Sequence, residues 1–127
     1  MKLLLDTHTF LWFLNGDAML SEKARRLIEI AEYEKYISIA TFWEIAIKHS
    51  LGKLQLDVPF DELKKESIKN GFRILPITFE DTARLNMLPF HHRDPFDRII
   101  LSQAIEKELT LVSRDTVFSL YNQSLVW

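Results

Sequence analysis

Acidic residues stand where one apolar segment of this chain gives way to the next. Asp6 follows Leu3-Leu4-Leu5, Glu44 lies within Phe42-Trp43-Glu44-Ile45, Asp94 and Asp97 flank Pro95-Phe96, and Asp115 follows Leu111-Val112-Ser113-Arg114. Carboxylates that converge without histidine or thiolate form a hard, all-oxygen donor set. Such a set suits Mg²⁺ or Mn²⁺, which keep several waters and bind through a few carboxylates and a substrate phosphate. Two such ions roughly 4 Å apart activate a water and steady the leaving oxygen of an in-line displacement, which is phosphoryl chemistry. Each residue also has an ordinary structural role. Asp6 and Asp115 fit helix N-caps. Asp94-Pro95-Phe96-Asp97 reads as a helix start, with a cap, a proline at N1 and an acid at N3. Glu44 stands four residues before Lys48, the spacing of a helical ion pair, with Thr41 on the same side. Only convergence of the acids separates the two readings.

Convergence depends on the elements that carry them. Lys2 to Leu5 is a short apolar strand ended by Asp6-Thr7, and His8 to Leu14 reads as helix up to Asn15-Gly16. Apolar residues at Leu20, Ala24, Leu27, Ile28 and Ala31 predict a second helix over 20 to 34, and Tyr36 to Ile39 a second strand. Helical period returns from Ala40 to Leu51, with Gly52 placed for a left-handed C-cap. A connector from Lys53 to Pro59 leads to a helix over Phe60 to Asn70, a strand over Arg73 to Leu75 and a helix over 79 to 88. Asp94-Pro95 opens a helix to about Glu108, followed by a strand over Leu109 to Val112 and a last one over Leu125 to Trp127. Short strands apolar on both faces and alternating with helices predict a three-layer α/β/α fold around a parallel sheet of four or five strands, in one domain spanning 1–127. In such sheets function gathers at the carboxyl ends of the strands. Asp6, Asp94, Asp97 and Asp115 all fall on that edge, and Glu44 lies close to it in the second turn of its helix.

Composition narrows the classes further. The chain has 127 residues, 47% hydrophobic and 27% charged, with three Gly and four Pro, as expected of one folded domain. With no cysteine, disulfides, thiolate metal sites and Cys nucleophiles are excluded. The formal charge of −2 excludes a globally basic coat for nucleic acid. Asp6 interrupts the only N-terminal apolar run, so neither an export signal nor a membrane span is expected, and the cytoplasm is the expected location.

The segments Leu3-Leu4-Leu5-Asp6-Thr7-His8, Phe42-Trp43-Glu44-Ile45-Ala46-Ile47-Lys48, Leu51-Gly52-Lys53-Leu54, His92-Arg93-Asp94-Pro95-Phe96-Asp97-Arg98 and Leu111-Val112-Ser113-Arg114-Asp115 together resemble the PIN domain, specifically the VapC-type ribonuclease toxins. The resemblance spans nearly the whole chain and implies a metal-dependent endoribonuclease, the toxin of a toxin–antitoxin pair. It implies Asp6, Glu44, Asp97 and Asp115 as the catalytic, metal-binding set for Mg²⁺ or Mn²⁺. The family's ligand is the aspartate followed by an apolar stretch toward a Gln-Ala or Ala-Ala pair. Here that selects Asp97, with Ile99 to Leu101 and Gln103-Ala104 behind it, and leaves Asp94 as cap. The resemblance further implies an RNA substrate cut to a 5′-phosphate and a 3′-hydroxyl, a homodimer, a small VapB-type antitoxin, and DNA contact only through that antitoxin.

Other residues admit two readings. Thr7, Lys48 and Arg98 are candidate substrate-binding groups: Thr7 beside Asp6, and Arg98 with a planar fork for a carboxylate or a phosphate. His91-His92-Arg93 with Lys48, His49 and Lys53 form a candidate basic patch, or simply soluble loops. Phe10, Trp12, Phe13, Phe42 and Trp43 read mainly as core, with a dimer surface or partner groove as the alternative. The stretch Asp61 to Lys69 reads as a solvated helix face. A haloacid-dehalogenase-like phosphatase needs a second Asp where His8 stands, and a receiver domain needs paired acids near the first strand. The alternative to an enzyme is a non-catalytic PIN-like module whose acidic pocket docks a partner's arginine.

Overall fold

The computed structural model describes all 127 residues. Its core strand is β1 (Lys2–Leu5), in which Leu3, Leu4 and Leu5 are fully buried. Consecutive side chains of a strand point to opposite faces, so Leu3 and Leu5 enter one apolar cluster and Leu4 the other. Burial on both faces forces helices onto both sides. Around β1 stand β2 (Glu34–Ser38), β3 (Arg73–Leu75), β4 (Thr110–Val112) and β5 (Leu125–Val126), giving five parallel strands in the order β3-β2-β1-β4-β5.

On the Leu3/Leu5 face lie α1 (Thr7–Asn15), α2 (Glu22–Glu29) and α4 (Leu63–Lys69), contributing Phe10, Ile28 and Leu63. On the Leu4 face lie α5 (Phe79–Met87) and α6 (Pro95–Glu106), the latter burying Ile99 to Ala104. Helix α3 (Ile39–Ser50) serves both clusters, Ala40 in the second and Ile45 in the first. It ends as its sequence indicates, with Gly52 at φ +70°. The α/β/α architecture is the one the sequence predicts. No helix is long and apolar enough to cross a membrane.

Differences fall at boundaries that tertiary pairing sets. The second helix stops at Glu29 and β2 begins at Glu34, because Glu34 and Lys35 pair with Lys2 and Leu3 of β1. Charged residues enter this strand because each finds a partner. Glu34 takes Arg73 at 2.8 Å and Lys2 at 3.6 Å, and buried Lys35 donates to the Ile28 carbonyl at 2.6 Å. The expected helix over 60 to 70 splits into a 3-10 turn, Phe60–Glu62, and α4. A second 3-10 turn, Thr116–Tyr121, was not anticipated and follows Asp115 directly.

In the first turn of α5, which follows the carboxyl end of β3, Asp81 closes a capping box with Thr78 and takes Lys107 at 2.6 Å while fully buried. Burial alone would raise its acid, but the Lys107 hydrogen bond and charge, with the Thr78 amide, hold it below the ordinary aspartate range. A depressed folded value gives stability above the unfolded pKa that is lost as pH falls through the folded one. Asp81→Asn is therefore expected to cost about 3 kcal/mol at pH 7, by stranding Lys107 and weakening the cap, and less as the pH drops below about 4. Urea unfolding of both proteins across that range checks it.

Candidate active site

The registers Leu5↔Val112 and Leu5↔Ile37 bring the carboxyl ends of β1, β4 and β2 together, and the next residues of each strand form the site. Asp6 is the N-cap of α1. Its backbone is extended, Oδ1 accepts from the Thr9 amide at 2.9 Å, and Oδ2 accepts from the Ser113 hydroxyl. The same Ser113 oxygen accepts from the Asp115 amide at 3.0 Å, so one hydroxyl at the end of β4 ties two site acids together. Asp115 then caps the 3-10 turn through the Val117 amide at 3.0 Å.

Helix α3 starts at the end of β2 and delivers Glu44, which is 4% exposed. Its Oε2 takes Lys48 at 2.6 Å, the helical ion pair that the spacing indicated, while Oε1 is buried with no hydrogen-bond partner. Helix α6 starts at the same edge, with Asp94 as its cap, accepting from the Asp97 amide at 2.9 Å, and Asp97 at N3.

Electrostatics records the convergence of these elements. Burial first, then the charges of Asp94, Asp6, Glu44 and Asp115, push the Asp97 acid up to about 7. Burial also raises Asp6, against the opposing hydrogen bonds from Ser113 and Thr9. The donor set is entirely oxygen, the orphaned Glu44 oxygen needs a positive partner, and Lys48 reaches only the other oxygen of that residue. Those features fit Mg²⁺ or Mn²⁺. No three acid or histidine side chains stand close enough together in this arrangement to hold one ion among them. An adjoining cleft of ≈ 340 Å³ is lined by Asp6, His8, Trp12, Arg114, Asp115 and Thr116.

Three expectations for neighbouring residues are corrected. The Arg98 guanidinium is buried and donates to the carbonyls of Pro89 at 2.9 Å, Leu88 at 3.3 Å and His92 at 3.4 Å, so it braces a loop instead of facing a phosphate. Thr7 is buried with its hydroxyl 3.2 Å from that of Thr41, joining α1 to α3 instead of reaching a carboxylate. His92 is no part of a basic patch. Burial lowers its pKa, and its ring packs edge-on to Phe118 and Tyr121. Lys48 does remain at the site, as the partner of Glu44. Sequence reasoning missed Ser113, although a serine two residues before an aspartate is a recognisable local turn-former. It missed Tyr121 as well, which carries no local signal at all.

The raised Asp97 value fixes the sign of a pH effect. A folded pKa near 7 against an unfolded one near 3.8 means the folded, metal-free protein holds the extra proton between those values. That contribution favours folding fully below the unfolded value and is lost as pH rises through about 7. Asp97→Asn removes it, so in chelator the variant is expected to gain stability relative to wild type as pH rises from 5 to 8. Parallel melting curves across that range would contradict the assignment.

Residues 3–123 match the family model described as the PIN domain. No relative among curated protein sequences matches the chain. Among solved structures it is similar to VapBC2 from Rickettsia felis bound to a promoter DNA fragment, at 19% identity and TM-score 0.75, covering 100% of this chain and 99% of that one. It is also similar to FitAcB from Neisseria gonorrhoeae, at 21% identity and TM-score 0.69, covering 98% and 96%. The PIN domain endonuclease Utp24 is similar at 14% identity and TM-score 0.52, covering 95% and 76%. With the family model spanning nearly all of it and the acidic edge in place, the chain belongs to the PIN-domain family.

Proposed function

We propose that this chain is a Mg²⁺- or Mn²⁺-dependent endoribonuclease, acting in the cytoplasm as the toxin of a toxin–antitoxin pair. The observation that carries the reading is the gathering of Asp6, Glu44, Asp97 and Asp115 at one sheet edge, where burial and then the neighbouring charges push Asp97 up to about 7 and a buried Glu44 oxygen is left without a partner. Membership of a family of nucleases supports hydrolysis of a phosphodiester, and the similarity in fold to VapBC2 and FitAcB supports the toxin role.

In this reading the four carboxylates would hold the metal, which would supply a water of lowered pKa and offset charge on the phosphate. The chain's own groups set up that chemistry. Ser113 orients Asp6 and the backbone of Asp115, Lys48 holds one oxygen of Glu44 and leaves the other without a protein partner, and Asp97 would serve as a ligand in its carboxylate form. The homodimer belongs to the same proposal. Trp43 and Ile47 of α3 and Leu51 at its C-cap are exposed at 57%, 39% and 62%, one apolar surface available for self-association.

Asp6→Asn, Glu44→Gln, Asp97→Asn and Asp115→Asn are each expected to lower RNA cleavage by about a hundredfold or more while keeping the fold, because they remove ligands but little volume. Cleavage of a mixed RNA pool, with its ends sequenced, should require Mg²⁺ or Mn²⁺ and stop in chelator. Full cleavage in excess chelator overturns the metal reading. Activity retained in Asp97→Asn but lost in Asp94→Asn reverses the assignment of ligand and cap. A small antitoxin is expected to place an Arg or Lys near Asp6 and Asp97. Reversing the charge of that residue should restore toxicity, and unchanged inhibition would put its action elsewhere.

A further inference from the structure

The loop between α5 and α6 carries none of the four proposed metal ligands, yet two side chains from outside it, Arg98 and Tyr121, brace it. Arg98 holds its carbonyls at Leu88, Pro89 and His92 and stacks under Phe90, with 4.1 Å from the guanidinium carbon to the ring centre. The phenolic oxygen of Tyr121, at the end of the 3-10 turn, takes its amides: His91 N–H at 3.1 Å and His92 N–H at 3.3 Å, with Arg98 Nη1 at 3.5 Å. An oxygen already accepting from these donors has its own proton left to give, and His92 Nδ1 lies 2.9 Å away. With the two amides filling its lone pairs, the hydroxyl assigns Nδ1 of His92 as the acceptor of its proton, and Nε2 is buried without a partner. Buried Phe118 backs the imidazole at 5.4 Å.

This knot joins the two segments whose relative position the acidic edge requires. On one side the loop runs through Asp94 into α6 and Asp97, and on the other the 3-10 turn begins at Asp115. Asp97 and Asp115 repel one another, and no hydrogen bond links them as Ser113 links Asp6 to Asp115. We infer that the Tyr121 hydroxyl is a positioning group for the acidic site, setting the separation of Asp97 from Asp115 by fastening the His91-His92 segment to the turn that Asp115 opens. The inference rests on the proposed function of those carboxylates. It adds a residue that touches neither metal nor RNA.

Tyr121→Phe removes one oxygen and keeps the ring packed edge-on to His91 and His92. It is expected to weaken Mn²⁺ binding to the RNA-free protein, followed by calorimetry, by about tenfold or more, and to lower kcat similarly. KM for RNA should stay within about twofold, and Tm in chelator should fall by no more than about 5 °C. Wild-type Mn²⁺ affinity and kcat in Tyr121→Phe overturn the inference. So does a loss of Tm large enough to account for the weaker binding, since that is general destabilisation. If Tyr121→Phe does not fold, the His92 pair decides. His92→Asn keeps an acceptor near the Nδ1 position and should lose less Mn²⁺ affinity than His92→Leu, and equal losses overturn it. Wild-type protein that binds Mn²⁺ no better than Asp97→Asn fails differently: the metal reading itself falls, and the positioning role with it.

Discussion

Carboxylates gathered at the carboxyl edge of the sheet repel one another, and much of the surrounding structure is arranged to keep them there. Each is anchored by a different device. Asp6 is held by an amide and a hydroxyl, Glu44 by Lys48, Asp97 by its place in the first turn of α6, and Asp115 by Ser113 and the turn it caps. Burial and then the repulsion of neighbouring carboxylates raise the Asp97 acid to about 7, a cost of ionisation that opposes folding and that the core has to outweigh. Leu3, Leu4 and Leu5 together with Ile100 and Leu101 are fully buried immediately behind the acids. Each such side chain contributes about 1.5–3 kcal/mol relative to exposure, so rigid apolar elements carry the cost of the polar edge.

Capping and site formation use the same residues at this edge. Asp6 and Asp115 are N-caps, and a cap needs only one side-chain oxygen. In a parallel sheet the ends of adjacent strands lie side by side, so the caps that start successive helices become neighbours. The structural explanation of each acid and the functional explanation of the group are thus both true. Asp94 does the same: its Oδ1 starts α6 and its charge contributes to the raised Asp97 value.

Two aspartates show that burial does not dictate the state of a carboxyl group. Asp81 and Asp97 both lie near helix starts, yet one is held low and the other high. Burial pushes both up; at Asp81 the hydrogen bonds and charge of Lys107 and Thr78 outweigh it, whereas at Asp97 the neighbouring carboxylates add to it. The cations that would relieve Asp97 are engaged elsewhere. Arg98 is committed to backbone carbonyls, Lys48 to Glu44, and His92 is kept neutral by its packing. These side chains are committed to the frame instead of to Asp97.

Local sequence determined the architecture and the acids. Alternation of short apolar strands with helices specified the parallel sheet, and Asp94-Pro95 and Gly52 marked ends that the structure keeps, because these signals act within a few residues. Sequence also supplied the Glu44 and Lys48 pair, a relation within one helix turn. Tertiary structure decided what depends on partners distant in the chain. Glu34 and Lys35 became strand because β1 and Arg73 receive them, and Arg98 and Thr7 turned away from the acids toward a loop and Thr41. Tyr121 met His92 from 29 residues away. The direction of a long side chain and the pKa of an acid depend on the summed field and packing of every neighbour, and a periodicity along the chain does not contain that sum.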